Sequence, residues 1–380
     1  MTTEQKKTLL AQFDAIRPFE PEELPAAYGR LEGDPQFRAV VAYLYPEVPF
    51  TAIMQQMRQC RTCFDFQKTF CYPFLKQLMA KASKGFDIDL TSIDVTKRYT
   101  FVSNHRDIVL DSALLDVLLI DAGAGTTTEI AIGDNLLAAP WIKDLVRINK
   151  SFIVERSLGP REMLMASKRM SEYMHFVVGT KHDNIWIAQR EGRAKDSDDR
   201  TQPSILKMMA MGGEGTIVER LKQLHIVPLA ISYEFDPCDY LKAREFQLKR
   251  DNPQWKKSKQ DDVESMRTGI MGYKGHVHYH CAPCIDQWLD TLPTDMPKGE
   301  LFDTVAAHID SEIHRHYRLY ASNRVAAGAS CTDEERAAFS DYLDSRIAKI
   351  QLNTPDVTFL RERLATMYAN PYRNHMDAMK

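Results

Sequence analysis

From about residue 96 the chain changes pattern, and short β-like runs begin to alternate with helical stretches; no other feature limits the fold as strongly. Tyr99-Thr100-Phe101-Val102-Ser103 reads as a strand, and a helix follows over 107–120. Phe152-Ile153-Val154 is a short strand before a helix over 159–178. Asn184-Ile185-Trp186-Ile187-Ala188 is the next strand, Ile226 to Ser232 another, and Lys274 to Cys281 a late one. Such alternation predicts an α/β domain over 96–297, with a mostly parallel sheet flanked by helices. Active sites in these sheets gather beyond the carboxyl ends of strands, which is where the polar motifs of this chain fall. Pro228 in the Ile226 run predicts an edge or first position for that residue.

The flanks read as helical. In 1–95, apolar residues recur at helical spacing (Leu9, Leu10, Phe13, Ile16; then Phe37, Val40, Val41, Leu44), and Phe70 to Leu78 adds a further apolar helix. Pro21-Glu22-Glu23-Leu24 and Asp34-Pro35 are helix starts with proline near the first helical position. This predicts an N-terminal helical domain. Residues 298–380 carry helical periodicity over 300–317, 332–350 and 355–368, a C-terminal helical extension.

The formal net charge is -3, so no global basic field points to nucleic acid, and attraction to an anionic membrane must come from local patches. The polar start Met1-Thr2-Thr3-Glu4 is unlike a signal peptide. The longest apolar stretch, Ile108 to Ile120, is interrupted by Asp111 and Asp116, short of the roughly 18 uninterrupted residues a spanning helix needs. The odd count of 7 cysteines suits a reducing compartment. Cys60/Cys63 and Cys281/Cys284 stand too far apart in the chain for a zinc ribbon and read as buried free thiols. The expectation is a cytoplasmic protein, peripheral on the inner face of the membrane, with no bound metal.

Four motifs carry chemistry. In Ser103-Asn104-His105-Arg106-Asp107-Ile108-Val109-Leu110-Asp111 a strand ends directly before a histidine, and two aspartates follow. A carboxylate beside a histidine fixes its tautomer and stabilises the imidazolium formed on proton abstraction, which makes His105 a candidate general base. Asp107 equally suits a helix cap, and Asp111 the first helical turn. Arg156, after the Phe152 strand, suits bidentate phosphate binding or a surface ion pair with Glu155. Gln189-Arg190-Glu191-Gly192-Arg193-Ala194-Lys195 is a glycine-containing cationic loop after a strand, fit for an anionic head group or simply solvated. The Pro228 strand by itself is only a buried strand.

The order of these motifs resembles the glycerolipid acyltransferase superfamily, the glycerol-3-phosphate and 1-acylglycerol-3-phosphate acyltransferases, over roughly residues 95 to 235. In that family a histidine, four residues and an aspartate form the first block. The second ends in an arginine after a phenylalanine-containing strand, the third reads phenylalanine-proline-glutamate-glycine-threonine/serine-arginine, and the fourth centres on a proline. His105 matches the base, Arg156 the second-block arginine, Glu191 and Gly192 the third block, and Pro228 the fourth. Two departures stand out. The gap from His105 to Asp111 is one residue longer than the family's, so either Asp111 or Asp107 partners the histidine. Arg190 and Arg193 replace the proline and the threonine/serine of the third block, which leaves Arg193 or Lys195 for the acceptor phosphate.

The resemblance implies an acyl thioester donor (acyl-CoA or acyl carrier protein) and a lysophosphatidate, glycerol 3-phosphate or lyso-aminolipid acceptor. No cofactor is implied, and oxyanion stabilisation would come from backbone N–H groups near the first block. The basic run from Lys242 to Lys259, with Phe246 and Trp255, is expected to dock the enzyme on an anionic leaflet. His276, His278 and His280 fall on one face of a late strand expected to lie at a sheet edge. The competing readings are an inactive membrane-binding module and a metal enzyme built on these histidines and the cysteine pairs.

Overall fold

The computed structural model describes residues 8–156 and 158–380. Seven strands form one sheet: β1 (Gly85–Asp89), β2 (Thr100–Ser103), β3 (Thr128–Gly133), β4 (Ser151–Val154), β5 (Asn184–Ala188), β6 (Ile226–Tyr233) and β7 (His276–Cys281). Their order is β1-β7-β6-β2-β5-β3-β4. Every neighbouring pair is parallel except β6 and β7. The α/β architecture expected from the alternating pattern is therefore present.

Both faces of the sheet are covered, which is why its strands read as nearly continuous apolar runs. On β2, Val102 enters one core with Ile185, Phe152 and Ile226, under the helices Pro160–Phe176 and Lys298–Arg315. Phe101 enters the other with Trp186, Val227 and Leu114, under Tyr72–Ala82 and Leu110–Asp121. The helices Leu24–Gly33, Pro35–Leu44 and Phe50–Gln59 pack in their own cluster against Ile148 and Trp141 of the helix Pro140–Ile148. Asp333–Ile347 and Val357–Ala378 pack on Ala243 of the helix Asp239–Asp251.

Several local expectations need correction. Residues 85–89, in the stretch read as helical, form β1, the edge strand beside β7. The helix Lys298–Arg315, read as part of an extension, is one layer of the sandwich, with Phe302, Val305 and Ile309 buried against the sheet. β7 is not an edge, because β1 pairs with it in register Asp87↔His278. Pro228 lies inside β6, fully within the core. Its carbonyl accepts from Ala282 N, and its ring nitrogen, which faces the same side, has no proton to return, so the β6–β7 ladder ends at Leu229↔Cys281. β3 was not anticipated: Thr128 and Glu129 break its apolar run, yet both are fully buried. Glu129 is held by Lys181 at 2.8 Å and by the Tyr173 hydroxyl at 2.5 Å.

All strands from β2 to β6 point their carboxyl ends the same way, and after β5 the chain crosses to the far side of β2 to make β6. This crossing opens a crevice at the end of β2, the position at which such sheets bind ligands.

Leu114 is completely buried beneath β2, whereas Leu164 is 62% exposed. Leu114→Ala is expected to cost about 2–5 kcal/mol in urea denaturation, and Leu164→Ala about 0.5 kcal/mol or less.

Candidate active site

His105 follows β2 and is positioned by backbone and side chains on three sides. The amide of Asn104 pairs with Ile231 of β6 in both directions (Nδ2 to O 2.9 Å; Ile231 N to Oδ1 2.8 Å), which extends the β2–β6 ladder by one side chain. Ser103 accepts from Trp186 Nε1 at 3.0 Å, and the Trp186 ring meets the imidazole edge-on at 5.7 Å between centroids. Below the ring, His105 Nδ1 lies 2.8 Å from Asp111 Oδ2.

The same Asp111 oxygen accepts from Arg106 N at 2.6 Å and Asp107 N at 3.0 Å, and Oδ1 receives the Tyr233 hydroxyl at 3.3 Å. A carboxylate surrounded by donors acts as acceptor to all of them, so Nδ1 carries the ring proton. In the neutral ring Nε2 is then the bare nitrogen, on a side chain that lines the main cavity. Asp107 plays a different part. Its Oδ1 accepts from Val109 N at 2.9 Å and Leu110 N at 2.8 Å, which caps the helix Leu110–Asp121. Burial, with Asp111 close by, pushes its carboxyl up. That helix starts three residues later than the apolar pattern indicated, and the looped residues absorb the longer gap between His105 and Asp111. Arg106 is buried and paired with Asp199 at 2.9 Å. The amides of 106, 107, 109 and 110 are thus all taken by carboxylates, so those four do not offer the oxyanion donors expected near this block.

The cavity has a volume of about 1090 Å³. Toward β3 and β4 its walls are apolar: Ile132, Ile153, Met163, Met170, Ile205 and Met208. Toward β6 they are charged and rich in cations, with Arg193, Lys195, Arg244, Lys249 and Lys257 interleaved with Glu245, Asp261, Asp262 and Glu264 beside Phe246 and Trp255. His105 lines the same space. The residues singled out after β4 and β5 therefore come together with it. Arg156 lies across Gly133, where a Cβ would stand 2.9 Å from its Nε, and its Nη1 approaches Glu191 Oε1 at 3.4 Å. Glu191 is 71% exposed and points largely to solvent. Gly192 adopts φ +67°, the left-handed region that glycine enters without strain. Arg190 Nε and Arg193 Nη1 are buried N–H groups with no acceptor among the described residues.

The basic run from Lys242 was read as a surface patch. Much of it turns inward instead, because the helix Asp239–Asp251 docks beside the post-β5 loop and presents Lys242, Arg244, Glu245 and Lys249 to the cavity. Lys195 contacts Glu245, which also pairs with Lys249 at 3.0 Å, so one carboxylate serves two ammonium groups. Burial and the nearby charges of Lys249 and Lys257 push Lys195 down to about 7. The histidines of β7 lie away from this cavity, facing the acids of β1: His276 Nε2 is 3.1 Å from Asp87, which also contacts His278, and His280 is 3.5 Å from Asp89. The cysteine pairs occupy separate cores.

No protein-family model matches the sequence, and no curated protein does. Among solved structures the chain is similar to the 1-acyl-sn-glycerophosphate (LPA) acyltransferase PlsC from Thermotoga maritima. That likeness has a TM-score of 0.39 and 11% identity, and covers 81% of this chain and 95% of that one. It is too distant to bear on function, and the reading of the site rests on its own geometry.

Because the folded chain holds Lys195 near 7 and the unfolded chain near 10.4, the folded state binds fewer protons between those values. The contribution of Lys195 to stability is therefore complete above the unfolded value and is lost as pH falls through about 7. In urea melts from pH 7 to pH 10 the wild type is expected to gain stability relative to Lys195→Met; parallel pH curves for the two proteins would contradict the assignment.

Proposed function

We propose that the chain is an O-acyltransferase of phospholipid biosynthesis, moving a fatty acyl group from an acyl thioester to the hydroxyl of a lysophosphatidate-type acceptor. One observation carries the reading: a histidine oriented by a buried carboxylate opens on a single cavity whose walls are apolar on one side and rich in cations on the other. Each substrate in such a reaction has an apolar chain and an anionic portion, and both meet at one proton-transfer centre. The donor would be acyl-CoA or acyl carrier protein; glycerol 3-phosphate and lyso-aminolipids are the alternative acceptors.

In this mechanism Nε2 of His105 takes the proton of the acceptor hydroxyl, and Asp111 stabilises the imidazolium that results. The acceptor oxygen attacks the thioester carbonyl, the carbon–sulfur bond breaks, and the departing thiolate recovers the proton from His105. Arg190 and Arg193, whose buried N–H groups lack acceptors, are placed to receive negative charge, either of the oxyanion or of the acceptor phosphate. Arg156 contributes further positive charge, as Lys195 does in its protonated form, and Gly192 lets the loop turn back over the crevice. Glu191 acts only by holding Arg156. No described helix is long and apolar enough to cross a membrane. Access to a lipid acceptor would then come from peripheral contact with the cytoplasmic face of the inner membrane, with exposed Leu164 and Met165 beside the apolar wall.

The test is to incubate purified protein with long-chain acyl-CoA or acyl carrier protein and a panel of acceptors, with product lipids read by mass spectrometry. Wild type is expected to form an ester with at least one phosphate-bearing acceptor, and His105→Ala to lower its rate by about 10²–10⁴. Full activity in His105→Ala would sink the mechanism, and no turnover with any pair would favour the binding-module reading.

A further inference from the structure

His225, Cys284 and Asp286 meet at the end of the sheet opposite the cavity. His225 immediately precedes β6, and Cys284 and Asp286 follow the antiparallel β7, so the topology brings both segments to the foot of β6. The ligand atoms of the three side chains all lie within 4.8 Å of one another, the one such grouping among the described residues. Tetrahedral zinc with nitrogen, oxygen and sulfur ligands places those atoms about 3.3–3.7 Å apart, so a small closure of this cluster suffices.

Three further observations point to a ligand. Asp286 Oδ2 engages His225 Nδ1 at 2.6 Å, while Asp286 Oδ1 is buried with no N–H or O–H donor, and only the Cys284 thiol stands against the carboxylate. A carboxylate oxygen removed from water in this way is costly unless a cation or donor meets it. His225 sits at φ +46°, in the turn after the helix Ile217–Lys222, where glycine or asparagine would be the unstrained choice. The strained position is held by an imidazole that reaches Asp286. Finally, the side chain of His225 is 49% exposed and that of Asp286 22%, so an ion has a path from solvent.

We infer that His225 Nδ1, Asp286 and Cys284 Sγ form a zinc site with a fourth position open to water. A divalent ion with one carboxylate and one thiolate is neutral overall, which suits a half-buried location. Binding moves the His225 ring proton from Nδ1 to Nε2, which breaks the His225–Asp286 hydrogen bond, releases the thiol proton of Cys284 to solvent, and forms three metal–ligand bonds. The site clips the segment after β7 to the start of β6. It is remote from His105, so its role is to stabilise the foot of the sheet rather than to serve the transfer reaction. It also gives a use to Cys284, whose motif partner Cys281 is sealed in the core.

The experiment is a titration of chelator-treated full-length protein with Co2+, followed by competition with Zn2+. Wild type is expected to bind about one equivalent, with intense tetrahedral visible bands and a thiolate charge-transfer band in the near ultraviolet. Cys284→Ser should abolish the charge-transfer band. His225→Asn, which tolerates the left-handed backbone, should weaken zinc binding about tenfold or more while leaving the metal-free melting temperature near that of wild type. Zinc should raise the melting temperature of the wild type but not of the variants. Absence of a thiolate band in wild type, or zinc affinity unchanged in both variants, overturns the proposal.

Discussion

The carboxylate of Asp111 ties together more of this molecule than any other single group. It is completely buried, and a bare charge there would be prohibitively costly. Its cost is met by the His105 ring, two backbone amides of the looped segment and the Tyr233 hydroxyl of β6. Its own backbone carbonyl accepts from Tyr279 of β7 at 2.9 Å. Three strands and the first helix of the α/β core are thereby referred to one residue, and the orientation of the histidine follows from that arrangement.

The cavity extends this logic from one group to two regions. Its apolar wall comes from strands and helices on the β3–β4 side, and its cation-rich wall from the post-β5 loop and the helix after β6. The chain crosses β2 between these two sides, so the base stands at the boundary. The charges there are closely interleaved: Lys195 and Lys249 share Glu245, Arg244 meets Asp261 at 2.9 Å and Glu264 at 3.5 Å, and Lys257 meets Asp262 at 2.6 Å. Burial first, and the neighbouring charges of Lys249 and Lys257 after it, explain why Lys195 gives up its proton more readily than an ordinary lysine.

Much of the sheet was legible in the sequence, because buried parallel strands declare themselves as apolar runs: β2, β5 and β6 fall within a residue or two of their expected bounds. β3 was hidden by Glu129, whose buried charge is answered by Lys181 and Tyr173 from a distant helical segment that no local pattern can reveal. β1 was hidden by its aspartates, which face the histidines of β7 across an edge. At the site, His105 and its two candidate carboxylates were legible, but the division of labour between Asp107 and Asp111 depends on three looped residues before the helix. The inward turn of Lys242 and Arg244 was not legible at all, since a basic amphipathic segment reads the same whether it faces lipid, water or a cavity. Asn104, acting as a side-chain rung of the sheet, left no signal beyond its place next to the histidine.

The central claim is that Asp111 fixes the imidazole with its proton on Nδ1 and a bare Nε2 directed to the chemistry. The most direct measurement is the long-range proton–nitrogen spectrum of protein labelled with 15N-histidine, with the His105 signals assigned by their loss in His105→Ala. The expected result is a neutral ring protonated at Nδ1, with Nε2 at the shift of an unprotonated nitrogen. A neutral ring that carries its proton on Nε2 would contradict it, because Nδ1 would then have no hydrogen to give Asp111 and Nε2 no lone pair to act as the base.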